Sequence, residues 1–93
     1  MSTNVLSPLQ RQLLAILDRD GELYGVPLLN EINEGRPWLR QVSIGSLYDA
    51  MDRLEDQGMV TSRRGDPTPE RGNRRKRFWT LTEKGRAALR GDQ

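Results

Sequence analysis

The chain has 93 residues, 34% apolar and 30% charged, enough for one small domain with a modest core. It contains no cysteine and no histidine, which excludes a disulfide framework, a Cys/His zinc site and the commonest nucleophile and general-base chemistry. The formal net charge is only +2, but seven basic residues crowd between Val60 and Trp79 against two acids, so one segment carries the positive field.

No apolar run approaches the ~20 residues of a membrane span, and the N-terminus lacks the build of a signal peptide. The cytoplasm is the expected location, and no membrane is expected as a partner. Carboxylates are plentiful, but none sits with a nucleophile or a metal-ligand set. No enzyme, metal or cofactor is expected.

Met1 to Leu6 read as a flexible tail, and the domain is expected over 7–93. Ser7, Pro8 and Gln10 spell a helix start with a capping box. Leu9, Leu13, Leu14, Ala15, Ile16 and Leu17 give this first helix a broad apolar sector. Deep packing explains such breadth, and part of it is also available to meet a second subunit. Asp18 to Gly21 reads as a turn. Gly25 and Pro27 frame a second helix with Leu28, Leu29 and Ile32 inside it, ended by Asn33, Gly35 and Pro37. Trp38 is expected to plug the small core, and Val42 to join a brief strand.

Ser43 is the N-cap of a central helix. Ile44, Leu47, Met51 and Leu54 recur at spacings of three and four and predict one buried stripe. Gly58 supplies the stop. The first turn holds Gly45, Ser46 and Tyr48, small or hydrogen-bonding residues suited to a DNA major groove. Asp49 is a candidate to accept from a cytosine amino group. Asp52, Glu55 and Asp56 are expected to face solvent and pair with arginines.

Met59 to Arg64 is expected to be extended, Gly65 to Asn73 a loop, and Arg74 to Leu81 extended again. Alternation puts Trp79 and Leu81 on one face and Phe78 and Thr80 on the other. Thr82 and Glu83 begin a short last helix. The expected fold is α+β, mostly α: a winged helix-turn-helix of three helices, a β-hairpin wing and a short C-terminal helix.

The wing carries Arg63, Arg64, Arg71, Arg74, Arg75, Lys76 and Arg77. Such residues gain affinity for a phosphate backbone by releasing its counterions. Phosphate contacts fix position while base contacts specify sequence, so helix and wing have different jobs.

GSLYDAMDRLEDQGMVTS followed by RKRFWTLTEKGRAAL resembles the PadR-like transcriptional regulators, from Gly45 onward in residue identity and spacing together. LLAIL and LYGVPL fit the family's first half more loosely. Gly25 matches its turn there, and Pro27 stands where a bulky side chain is usual. The resemblance implies a repressor that binds a two-fold double-stranded DNA operator as a homodimer, often released by a small effector. It carries DNA contact to Ser43, Ser46, Tyr48 and the wing arginines. The family commonly continues past LT-xx-G into a long helix that makes the dimer, so a short form is expected. The dimer surface is then sought at Leu6, Leu9, Leu13 and Leu89. An effector is left open, the nearest place for one being a cleft beside Trp38 or Trp79. Two other readings remain, a winged-helix protein-interaction module and a nonspecific nucleic-acid binder. The polar first turn of the central helix weighs against the former.

Overall fold

The computed structural model of the protein describes residues 6–35, 40–67 and 75–91. Helix α1 (Pro8–Asp20) begins as its sequence predicts. The Ser7 hydroxyl accepts from the Gln10 N–H, and the Gln10 side chain accepts from the Ser7 N–H, a cap worth about 1 kcal/mol. The turn expected at Asp18 comes later, because the helix continues to Asp20 and ends at Gly21.

Leu23–Tyr24 then form strand β1, which the sequence does not announce. Two residues are too few to show alternation. Helix α2 (Gly25–Glu34) follows directly. Asn33, expected among its stop signals, lies within its last turn and clips the chain ahead of the next helix. Its Nδ2 donates to the Val42 carbonyl at 3.1 Å, and its Oδ1 accepts from the Val42 N–H at 2.8 Å. Val42 is therefore in no strand, since one side chain takes both of its backbone groups. Trp38 lies outside the described residues.

Helix α3 (Ile44–Asp56) is capped by Ser43, whose hydroxyl accepts from the Ser46 N–H at 3.1 Å. Leu47, Met51 and Leu54 are fully enclosed. Ile44 corrects the expected stripe: it is 42% exposed, because the first turn projects past the elements that cover the rest of the helix. Gly58, at φ 79°, makes the left-handed stop.

Strand β2 (Val60–Pro67) runs further than expected and includes Gly65. Strand β3 (Arg75–Leu81) pairs with it, Val60 opposite Leu81 and Ser62 opposite Trp79, as far as an irregularity between Arg64 and Pro67. β1 pairs on the other edge of β3, Leu23 opposite Trp79 and Tyr24 opposite Phe78. The sheet is antiparallel with order β1-β3-β2. Helix α4 (Glu83–Arg90) starts at the Thr82 cap. Among the described residues, four helices and this small sheet give the mostly helical winged fold that the sequence predicts.

One core joins all of these elements. Trp79 and Leu81 face into it, and Phe78 and Thr80 face away, as alternation requires. Trp79 is completely enclosed, so no ligand cleft opens on it. Leu13, Leu14, Ile16 and Leu17 account for the breadth of the α1 apolar sector. Leu6, read as tail, is also buried. Leu6 and Leu13 are thereby spent inside the protomer, while Leu9 and Leu89 are only partly covered. None of the described helices is long and apolar enough to cross a membrane.

Candidate nucleic-acid interface

Ser43, Ile44, Gly45, Ser46 and Asp49 are all exposed on the first turns of α3. The Ser43 hydroxyl, besides capping the helix, donates to the Ser46 hydroxyl at 3.1 Å. A Cβ on Gly45 would meet nothing within 4 Å, so the backbone itself is open to approach there. Arg40 and Gln41, which no sequence signal singled out, stand exposed just ahead. With Leu9, Val42, Ser43 and Ser46 they line an open cleft of about 550 Å³. Helix dipoles place partial positive charge at such an N-terminus.

Tyr48 is placed differently. It is half-buried, its ring centroid 5.3 Å from that of Trp79, and its hydroxyl lies against Gly25. Ser43, Gly45, Ser46 and Asp49 therefore share a surface that the Tyr48 ring does not join.

The acids of α3 separate into two groups. Asp52 and Glu55 both accept from Arg77 Nη2, at 2.8 and 2.7 Å. Asp49 and Asp56 are exposed. The expected arginine pairing thus holds for Asp52 and Glu55.

The wing arginines also separate. Arg63 donates twice to Glu22, both at 2.7 Å, and its guanidinium lies 4.6 Å from the Phe78 ring centroid. Those hydrogen bonds hold the Glu22 carboxyl below its ordinary pKa. Arg77 lies 5.1 Å from the Trp79 centroid. Its partial burial disfavours the charge, but the hydrogen bonds it donates to Glu55 and Asp52 outweigh that and raise its pKa. Arg64 is exposed and has no ion-pair partner among the described residues. Arg75 and Lys76 contribute backbone to β3, and Arg71 and Arg74 lie outside the described residues. Alternation alone would have put Arg77 on the Trp79 face, a signal present in the sequence. Nothing local marks Glu22 as the partner of Arg63. Among the described residues no group of three or more His, Cys, Asp or Glu side chains could hold a metal ion.

The transcriptional regulator PadR-like family matches residues 13–91. The chain belongs to that family. Its fold is similar to that of a transcriptional regulator from Clostridium thermocellum, at 24% identity and a TM-score of 0.74, covering 88% of this chain and 75% of that one. It is also similar to Bacillus subtilis PadR in complex with operator DNA, at 24% identity and a TM-score of 0.77, covering 94% of this chain and 47% of that one. A PadR family regulator from Clostridium difficile matches at 20% identity and a TM-score of 0.71, over 90% and 81% of the two chains. No relative was found among curated proteins.

The PadR-like sequence pattern has a physical basis in this structure. In Leu81-Thr82-Glu83-Lys84-Gly85, the Thr82 hydroxyl donates to the Gly58 carbonyl at 2.7 Å and accepts from the Gly85 N–H at 3.0 Å. One side chain thereby caps α4 and fastens it to the turn that ends α3. A Cβ on Gly85 would stand 2.1 Å from the Met59 carbonyl oxygen, so only glycine admits the close approach.

Proposed function

We propose that this PadR-like chain is a sequence-specific double-stranded DNA-binding regulator acting as a repressor in the cytoplasm. The observation that carries the reading is the exposed first turn of α3, where Ser43, Gly45, Ser46 and Asp49 stand together on a helix anchored in the core by Leu47, Met51 and Leu54. The turn enters the major groove, with the Ser46 hydroxyl and Asp49 carboxylate addressed to base edges. Ile44, exposed beside them, suits a thymine methyl group. The Tyr48 ring is occupied by the core, so any share it takes falls to its hydroxyl. In this reading the wing lies over the neighbouring backbone, with Arg64, Arg71, Arg74, Arg75 and Lys76 addressed to phosphates and Arg63 held by Glu22. Operator DNA in the complex of the structurally similar Bacillus subtilis PadR supports the partner class.

One such module makes few base contacts, so the protein works as a homodimer on a two-fold site. Of Leu6, Leu9, Leu13 and Leu89, the first and third are enclosed, and the partly covered Leu9 and Leu89 are the two left for pairing.

Selection from a random duplex pool tests the reading. The expected result is one enriched two-fold sequence, its half-sites about one helical turn apart. Uniform retention of the pool would instead identify a nonspecific nucleic-acid binder. Retention of no DNA would favour a protein-interaction module.

A further inference from the structure

We propose that Arg77 is a positioning residue that sets the wing against the DNA-reading helix, and is not one of the phosphate contacts. The inference rests on the DNA-binding reading above and assigns a separate role within it.

Glu55 is the centre of the arrangement. It accepts from Arg77 on β3 at 2.7 Å and from the Ser62 hydroxyl on β2 at 3.0 and 3.1 Å. A single carboxylate of α3 thus holds both strands of the wing. Asp52, one helical turn earlier, takes the same Arg77 nitrogen at 2.8 Å, and residues three apart share a helix face. The guanidinium rests over the indole of the fully buried Trp79. β-Pairing fixes the hairpin internally, but these polar contacts tie its root to α3 beyond what apolar packing supplies.

To reach a phosphate, Arg77 would have to leave two carboxylates and an aromatic face. It would also leave Asp52 and Glu55 uncompensated beside a polyanion. Its side chain is 32% exposed and that of Glu55 34%, so the pair is less screened than an open surface pair. Arg64 sits directly across the strands from Arg77 and is exposed without an ion-pair partner among the described residues. The two arginines of this cross-strand pair have different work: Arg64 meets phosphate, and Arg77 holds the angle at which it does so.

Binding of the duplex selected above and of a random duplex, each measured across a salt series, separates the roles. Arg64→Gln should weaken both duplexes together and flatten the log K against log salt slope by about 0.9. Arg77→Gln should leave the random-duplex slope unchanged and cut the preference for the selected duplex about tenfold, the cost of one misplaced base contact. Glu55→Gln should do the same, and the double variant should lose no more than either single one. Arg77→Lys, which keeps the charge and guards against a variant that fails to fold, should also lose preference, because an ammonium lacks the planar guanidinium that rests over the Trp79 indole. A flattened slope in Arg77→Gln would overturn the proposal. So would an undiminished preference for the selected duplex in Arg77→Gln or in Glu55→Gln, since either shows that the tie between β3 and α3 does not set the reading angle. Unmodified protein that shows no preferred duplex overturns the DNA-reading function itself, before any substitution is made.

Discussion

The hydroxyl of Tyr48 occupies the space that a side chain on Gly25 would need, its oxygen 2.6 Å from the ideal Cβ position. The phenol ring is also packed against Trp79, a contact it would lose by swinging aside. Gly25→Ala should therefore destabilise the fold by about 1–3 kcal/mol, as overpacking does. Combining it with Tyr48→Phe removes the clashing atom and should recover most of that loss. Urea unfolding of the four proteins of this cycle checks it. Additive losses would show that the two residues do not compete for the space.

Gly85 meets backbone, which yields less than a side chain. A methyl group there would press on the Met59 carbonyl and on Leu81, forcing α4 away from the turn after α3. Gly85→Ala should cost about 3 kcal/mol or more. Thr82→Val keeps the side-chain volume but loses both hydroxyl hydrogen bonds, and should cost about 1–2 kcal/mol. Thermal melts of the two variants should rank Gly85→Ala as the less stable.

Both positions bear on how far the sequence could be read. Caps are local chemistry, so Ser7 with Gln10, and Ser43 with Ser46, located two helix starts to the residue. Strand parity is also local, and it placed Trp79 and Leu81 inside. β1 was not legible, because Leu23 and Tyr24 are a strand only by virtue of a partner far along the chain. Ile44 fits the apolar spacing of α3 and yet is exposed, because spacing cannot tell where the covering elements stop. The wing arginines looked alike for a similar reason. What distinguishes Arg63, Arg64 and Arg77 is the presence or absence of Glu22, Asp52 and Glu55 across the fold.

Helix and wing should differ in their response to base sequence. Ser46→Ala deletes a hydroxyl from the exposed turn of α3. It should weaken binding to the selected duplex by about 1–3 kcal/mol, with the random duplex and the salt slope unaffected. Fluorescence anisotropy at several salt concentrations provides the comparison. Equal losses on both duplexes would place Ser46 on a phosphate.

Acid should weaken the tie between Glu22 and Arg63. The Glu22 carboxyl is held below its usual pKa in the native state, chiefly by hydrogen bonds from Arg63, and returns to about 4.3 when unfolded. A depressed native pKa adds stability above the unfolded value and loses it as pH falls through the native one. Glu22→Gln should therefore be the less stable protein at neutral pH. The two stability curves should converge as the pH drops below about 4.3. The gap should also shrink in high salt, since the pair is solvent-exposed. Denaturation midpoints taken across that pH range test the sign, and parallel curves would contradict it.

The sheet order carries a consequence for how the protein is made. β1 and β2 flank β3, and among the described strands each pairs with β3 alone, so neither has its partner until Trp79 and its neighbours exist. A ribosome releases the three preceding helices first, with the Tyr48 ring lacking the indole that it later packs against. Long-range pairings of this kind repay the entropy of closing the chain only when the partner strand arrives. Synthesis of this regulator should therefore proceed through a loose helical assembly that locks in one step, when the strand that bears Trp79 clears the exit tunnel.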